Sequence, residues 1–184
     1  LKWNSKLEGV GNLTAIELKN DMITVLCRSG MESKLIRIEG SSKICWVCKI
    51  PFAANSMDTG EDGFFITGFT YRKAEDGSSI STPVMAKIDQ KGKLLWNRAP
   101  QPPVQQTEEN WRDSPLDLSP HGAAYLWKVI ALPGGGCIAM GLLELKQGQT
   151  LYHIRLDSSG RTVWNRVCAM VKTNWMYTFP GKIE

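Results

Sequence analysis

Three stretches of the chain read alike, and this self-similarity limits the folds open to it more than any other feature. They are Leu35-Ile-Arg-Ile-Glu39-Gly-Ser-Ser-Lys-Ile-Cys-Trp46, Met85-Ala-Lys-Ile-Asp89-Gln-Lys-Gly92-Lys-Leu-Leu-Trp96 and Tyr152-His-Ile-Arg-Leu-Asp157-Ser-Ser-Gly160-Arg-Thr-Val-Trp164. Each is a strand-forming run, an acidic residue that opens a turn, and a second strand ending in Trp. Asp89 with Gly92, and Asp157 with Gly160, suit a type I turn, in which the carboxylate bonds its own backbone and glycine relieves the residue that follows. Ahead of each hairpin lies a second pair of short strands around turn residues: Asn20-Asp21, Gly60 to Gly63, and Pro133 to Gly136.

Four short strands in a period of roughly 40 to 50 residues are the mark of a β-propeller blade. The sequence therefore predicts an all-β, propeller-like fold of three four-stranded antiparallel repeats, about 7–46, 50–96 and 121–164, plus terminal strands. Trp3 to Leu7 and Trp164 to Phe179 are the candidates for those terminal strands, and 1–184 reads as a single domain. Three blades fall short of the four to eight in which propellers usually close. A small distorted ring, a ring completed by a second copy, and a piece of a longer protein all stay open.

The pattern Gly135-Gly136-Cys-Ile-Ala-Met-Gly141, followed by Ile154-Arg-Leu-Asp157-Ser-Ser-Gly160-Arg-Thr-Val-Trp164, resembles the repeats of exported bacterial β-propeller proteins. These include the pyrroloquinoline-quinone-type propellers and their non-enzymatic relatives. The likeness covers roughly 14–50, 57–98 and 123–166; the first copy departs most, with Glu39 in place of Asp. It implies a periplasmic or secreted bacterial protein. For a quinone enzyme it would also imply calcium and convergent carboxylates on the axis of a many-bladed ring, but the chain offers half the blades and no such cluster. No cofactor is expected, and a fragment of a quinone-dependent dehydrogenase is the weakest alternative.

Composition narrows function further. The chain has 184 residues, only two His and five Cys, which leaves little material for a metal centre or a Cys/His pair. Its longest apolar runs are strand-sized, far below the roughly 18 to 20 residues of a membrane-spanning helix. The net charge of +4 comes without a clustered basic stripe, so nucleic acid is not an expected partner. The chain begins at Leu1 with no charged-then-apolar leader, as a processed or trimmed sequence would.

Two segments interrupt the repeats. The longer, 100–122, holds five of the nine prolines and a net charge of −3, from Glu108, Glu109, Asp113 and Asp117 against Arg112. Connections longer than about 12 to 15 residues are commonly functional. Trp and Arg are favoured interface anchors, so Glu108, Glu109, Trp111, Arg112 and Asp113 are the first candidates for partner binding. The shorter segment, Thr70 to Thr82, reads as an exposed loop in the second unit and adds Tyr71 and Arg72.

Other motifs read as structure. Cys45-Trp-Val-Cys48 lies in a strand, where residues three apart sit about 10 Å from one another on opposite sides, too far for a disulfide. Its cysteines are expected to be buried small apolar groups. Asp58-Thr-Gly-Glu-Asp62-Gly63 starts like a calcium loop but carries Phe69 where a bidentate carboxylate is needed. Gly134-Gly135-Gly136 lacks the Gly-Lys-Ser/Thr of a phosphate loop and reads as a hairpin turn. His153 alternates within a strand with no Ser or Cys elbow.

The sequence thus points to a non-enzymatic protein-binding module. A specific version is a periplasmic immunity or inhibitor protein that blocks a toxin or hydrolase through the long loop. The alternatives are an assembly scaffold or a half-propeller that forms a homodimer.

Overall fold

The computed structural model describes residues 11–40, 43–73, 77, 79–100, 124–145 and 148–167. The candidate terminal strands, at Trp3 to Leu7 and beyond Val167, lie outside the described residues. Those described form three four-stranded antiparallel sheets, with no helix among them. The first blade is β1 (Asn12–Lys19), β2 (Met22–Ser29), β3 (Glu32–Glu39) and β4 (Ile44–Ile50). The second is β5 (Ala53–Thr59), β6 (Gly63–Lys73), β7 (Ser79–Asp89) and β8 (Leu94–Arg98). The third is β9 (Ala124–Ala131), β10 (Cys137–Leu145), β11 (Gly148–Leu156) and β12 (Thr162–Val167). Strands pair in chain order within each sheet, as the repeat predicts for a propeller-like protein. Each last strand runs past its Trp, to Ile50, Arg98 and Val167, because pairing to the third strand continues beyond it.

The hydrophobic pattern explains the layering. β6 opens with a nearly unbroken apolar run because both of its faces are covered. Phe64 and Phe65, neighbours on β6, are both fully buried and point to opposite sides. Phe64 belongs to a core with Leu26, Leu35, Phe52, Ile66 and Ile88, between the first and second blades. Phe65 belongs to the other, with Met85, Leu126, Val129, Tyr152 and Ile154, between the second and third. Burying one such ring contributes roughly 1.5–3 kcal/mol, so β6 holds the two interfaces together.

The turns follow the local chemistry. The Asp89 carboxylate accepts the N–H groups of Lys91 and Lys93 at 2.9 and 2.8 Å, and Asp157 accepts those of Ser159 and Arg161, both at 2.9 Å. Gly92 and Gly160 close these turns at φ +84° and +79°. Asn20 and Asp21, at φ +50° and +58°, form the two-residue turn that suits a right-twisted hairpin.

The repeated tryptophans join one blade to the next. The Trp46 indole N–H donates to the Gln90 carbonyl at 3.1 Å, and Trp96 donates to the Ser158 carbonyl at 3.1 Å. In each case the ring lies on the Asp-x-x-Gly turn of the following blade. A Cβ on Gly92 would meet Trp46 at 2.6 Å, and one on Gly160 would meet Trp96 at 2.8 Å. Glycine is required there twice over, for its φ and for the space the indole takes.

Candidate protein-binding surface

The segment Thr70 to Thr82, expected as a loop, is instead mostly strand. β6 and β7 stay paired from Thr70 with Thr82 out to Lys73 with Ser79. The reason is packing: Ile80 and Ser81 are buried, and the Ser81 hydroxyl donates to the Ala124 carbonyl at 3.4 Å. A paired two-stranded arm takes the place of the ends of that loop and carries Tyr71 and Arg72, both exposed, on β6.

Tyr71 ends an aromatic row. Its ring meets Phe69 edge-on at 5.4 Å, and Phe69 meets Tyr125 of β9 edge-on at 6.0 Å. Tyr71 remains 51% exposed. Such pairs contribute about 0.5–1.5 kcal/mol beyond burial, which fixes the orientation of a side chain that presents its outer face to solvent.

Beside this row, each first strand carries a β-bulge at the equivalent place. The register slips at Thr14, Asn55 and Trp127, each three residues before the position occupied by Glu17, Asp58 and Ile130. A bulge re-aims its side chain. Asn55 uses it to tie the blades together, accepting from Arg28 at 3.3 Å and donating to the Leu126 carbonyl at 3.0 Å. Trp127 uses it to stand 42% exposed, two residues from Tyr125. The sequence reading found Tyr71 and Arg72 but not Phe69, Tyr125, Trp127 or Asn55. The signal for Trp127 was the slip in alternation that Thr14, Asn55 and Trp127 share.

Glu108, Glu109, Trp111, Arg112 and Asp113 lie outside the described residues, as does His121. The insertion that contains them rejoins the fold at Ala124, one residue before Tyr125.

Several other polar side chains are engaged in the fold. Lys87, 2% exposed, donates to Asp62 at 2.7 Å and to the Gly135 carbonyl at 3.4 Å, with its ammonium 5.0 Å above the Phe65 ring. A buried ammonium is tolerated because it is paired and bonded. Asp58, considered above for a calcium loop, accepts the Ala131 N–H at 2.7 Å. A cleft of about 220 Å³ between the first two blades is lined by Lys19, Thr24, Arg37, Glu61 and Gln90 among others. There Arg37 is held against Gln90 at 2.8 Å and over the Phe64 ring, as part of the seam.

Among the described residues, Cys27, Cys45, Cys48 and Cys137 are free thiols. Cys45 is exposed and Cys48 buried; the expectation that both are buried holds for Cys48 alone. Cys45 falls where the pairing of β3 with β4 slips, and the irregularity turns it outward. Burial pushes the Cys137 thiol up to about 12 and raises Cys27 and Cys48 as well.

No family model matches the chain, and no curated protein matches it. Among solved structures it is similar to BamB from Moraxella catarrhalis, at 18% identity and a TM-score of 0.48, over 89% of this chain. The chain spans 41% of the length of that protein.

Proposed function

We propose that this chain is a non-enzymatic protein-binding module of the bacterial cell envelope, periplasmic or secreted, that grips its partner with the aromatic end of the second and third blades. The observation that carries the reading is the row Phe69–Tyr71–Tyr125, braced edge-to-face with Tyr71 open to solvent, beside an exposed Trp127 on a bulge. Rigid, half-exposed Tyr and Trp with a neighbouring Arg are what interface hot spots are made of, since they add area at little entropic cost. Arg72 supplies the cation on the same arm. In this reading the acidic insertion, joined one residue from Tyr125, contributes Glu108, Glu109, Trp111, Arg112 and Asp113 to the same contact and selects a basic partner site. The specific form of the proposal is an immunity or inhibitor protein whose partner is a toxin or hydrolase.

Affinity capture from the envelope fraction of the source bacterium, with the recovered partner then titrated, tests this. Replacing both Tyr71 and Trp127 by Ala is expected to weaken binding at least about tenfold, roughly 1.4 kcal/mol. Deleting 104–118 is expected to weaken it too. Unchanged affinity in the double variant removes the surface, and unchanged affinity in the deletion removes the loop. A partner whose hydrolytic activity does not fall on complex formation removes the inhibitor role.

A further inference from the structure

The seams between the blades are built on one pattern, and the first has a gap where the second is filled. Across the front of the first blade the paired residues run Glu17–Thr24–Arg37–Trp46, and across the front of the second Asp58–Phe65–Lys87–Trp96. Three of the four positions act alike in both rows. The acids bond the next blade, at the Thr59 hydroxyl and the Ala131 N–H, the tryptophans dock on its turn, and a long cation stands between them. The remaining position differs. Phe65 is a fully buried ring that packs the second seam, whereas the residue in its place in the first row is Thr24. The cleft of about 220 Å³ between the first two blades is lined by Thr24, Arg37 and Phe64, where the smaller side chain leaves room.

The two cations differ in the same way. Lys87 is neutralised by Asp62 at 2.7 Å. Asp21 stands three residues before Thr24, as Asp62 does before Phe65, but its backbone is left-handed at φ +58° and it forms no ion pair with Arg37. Among the described residues Arg37 has no acidic partner. Its Nη1 donates to the neutral Gln90 side chain at 2.8 Å, and its guanidinium lies 5.3 Å from the Phe64 ring centroid, which fixes the group in place. The opposite edge, Nε and Nη2, makes no hydrogen bond there; this edge is the fork that takes a carboxylate with two parallel bonds. Lys19, exposed at the mouth, also has no acidic partner among the described residues. Of the nearby acids, Glu61 is exposed at the rim and Glu17 is held by the Thr59 hydroxyl.

We propose that this cleft binds a small organic carboxylate, held by the free edge of Arg37, with Lys19 supplying a second positive charge and Thr24 the space. A water takes up about 30 Å³ of liquid volume, so the cleft holds several waters or an acid of a few carbons in their place. A half-buried guanidinium attracts an anion more strongly than one in open solvent, and a group already fixed over a ring loses little freedom on binding. The site is separate from the aromatic surface. Phe64 and Tyr71 lie seven residues apart on β6, about 23 Å at the rise of a strand.

Titration calorimetry of the 184-residue chain with succinate at low ionic strength tests this. The expected result is a dissociation constant on the order of 1 mM, with binding at least about tenfold weaker in Arg37→Gln and lost in Thr24→Phe. The second variant is the stricter, because it keeps both cations and puts the second seam's ring into the gap. An unchanged circular dichroism spectrum in each shows that the fold is intact. Succinamide, of the same length but neutral, is expected not to bind, and this comparison needs no substitution. Absence of binding at about 20 mM succinate, equal affinity in both variants, or succinamide binding as well as succinate overturns the proposal. An N-acetylated, C-amidated aspartate that binds about tenfold tighter than succinate assigns the site to a protein side chain and overturns the free acid.

Discussion

Cys45 and Cys48 lie three positions apart on one strand, one exposed and one buried, and alternation does not decide which reaches solvent because Cys45 falls where the pairing slips. The outcome has a chemical consequence, since the thiolate is the reactive form. With Cys27, Cys48 and Cys137 buried and their thiols raised, Cys45 is expected to react with a thiol reagent at least about tenfold faster than those three. Mass mapping of the labelled peptides checks it, and equal labelling of Cys48 would contradict the burial. Asp157 offers a second residue-level test. Hydrogen bonds from the Ser159 side chain and from the Arg161 and Ser159 amides hold its carboxyl down to about 2, below an ordinary value of 3.8. A depressed folded value contributes stability that is present above the unfolded value and lost as pH falls through the folded one. The melting temperature should therefore drop between about pH 4 and about pH 2, and drop less in Asp157→Asn; identical profiles would remove the carboxylate from the account.

At the scale of elements, the hairpin turns were legible because their chemistry is local: an Asp, a Gly three residues on, and nothing else needed. The joining of blades by Trp was legible only as a period, since the partner turn of Trp46 lies 44 residues away in sequence. Comparing two glycines isolates that contact. Gly92 and Gly134 share φ +84°, but a Cβ at Gly92 would strike the Trp46 ring at 2.6 Å, whereas Gly134 has nothing within 4 Å. Gly92→Ala is expected to destabilise by about 1–3 kcal/mol more than Gly134→Ala, the cost of overpacking added to a common backbone strain. Denaturant unfolding measures the difference, and equal losses would mean that the indole yields freely. The arm from Thr70 to Thr82 was misread because Gly77 and its Ser/Thr neighbours suggest a loop tip, while the support for the strand, Ile80 and Ser81 packed towards β9, comes from a distant part of the chain.

For the whole molecule, the three-blade architecture could be read from the repeat because one supersecondary unit recurs and cannot bury its faces alone. The surface could be read only in part. Tyr71 and Arg72 stood out by type and position, but Phe69 and Tyr125 look like ordinary strand residues until the second and third blades bring them together, and Trp127 is exposed by a bulge whose trace in the sequence is only a slip in alternation. The central claim is that this aromatic end, rather than any other face, meets a protein partner. Site-specific photocrosslinking in the source organism tests it directly, with a photoreactive phenylalanine placed at Tyr71, at Trp127, or at the exposed Val163 on β12 as a control. The account predicts one discrete protein adduct shared by the first two positions and absent from Val163. Adducts at Val163 alone, or none at Tyr71 and Trp127, would contradict it.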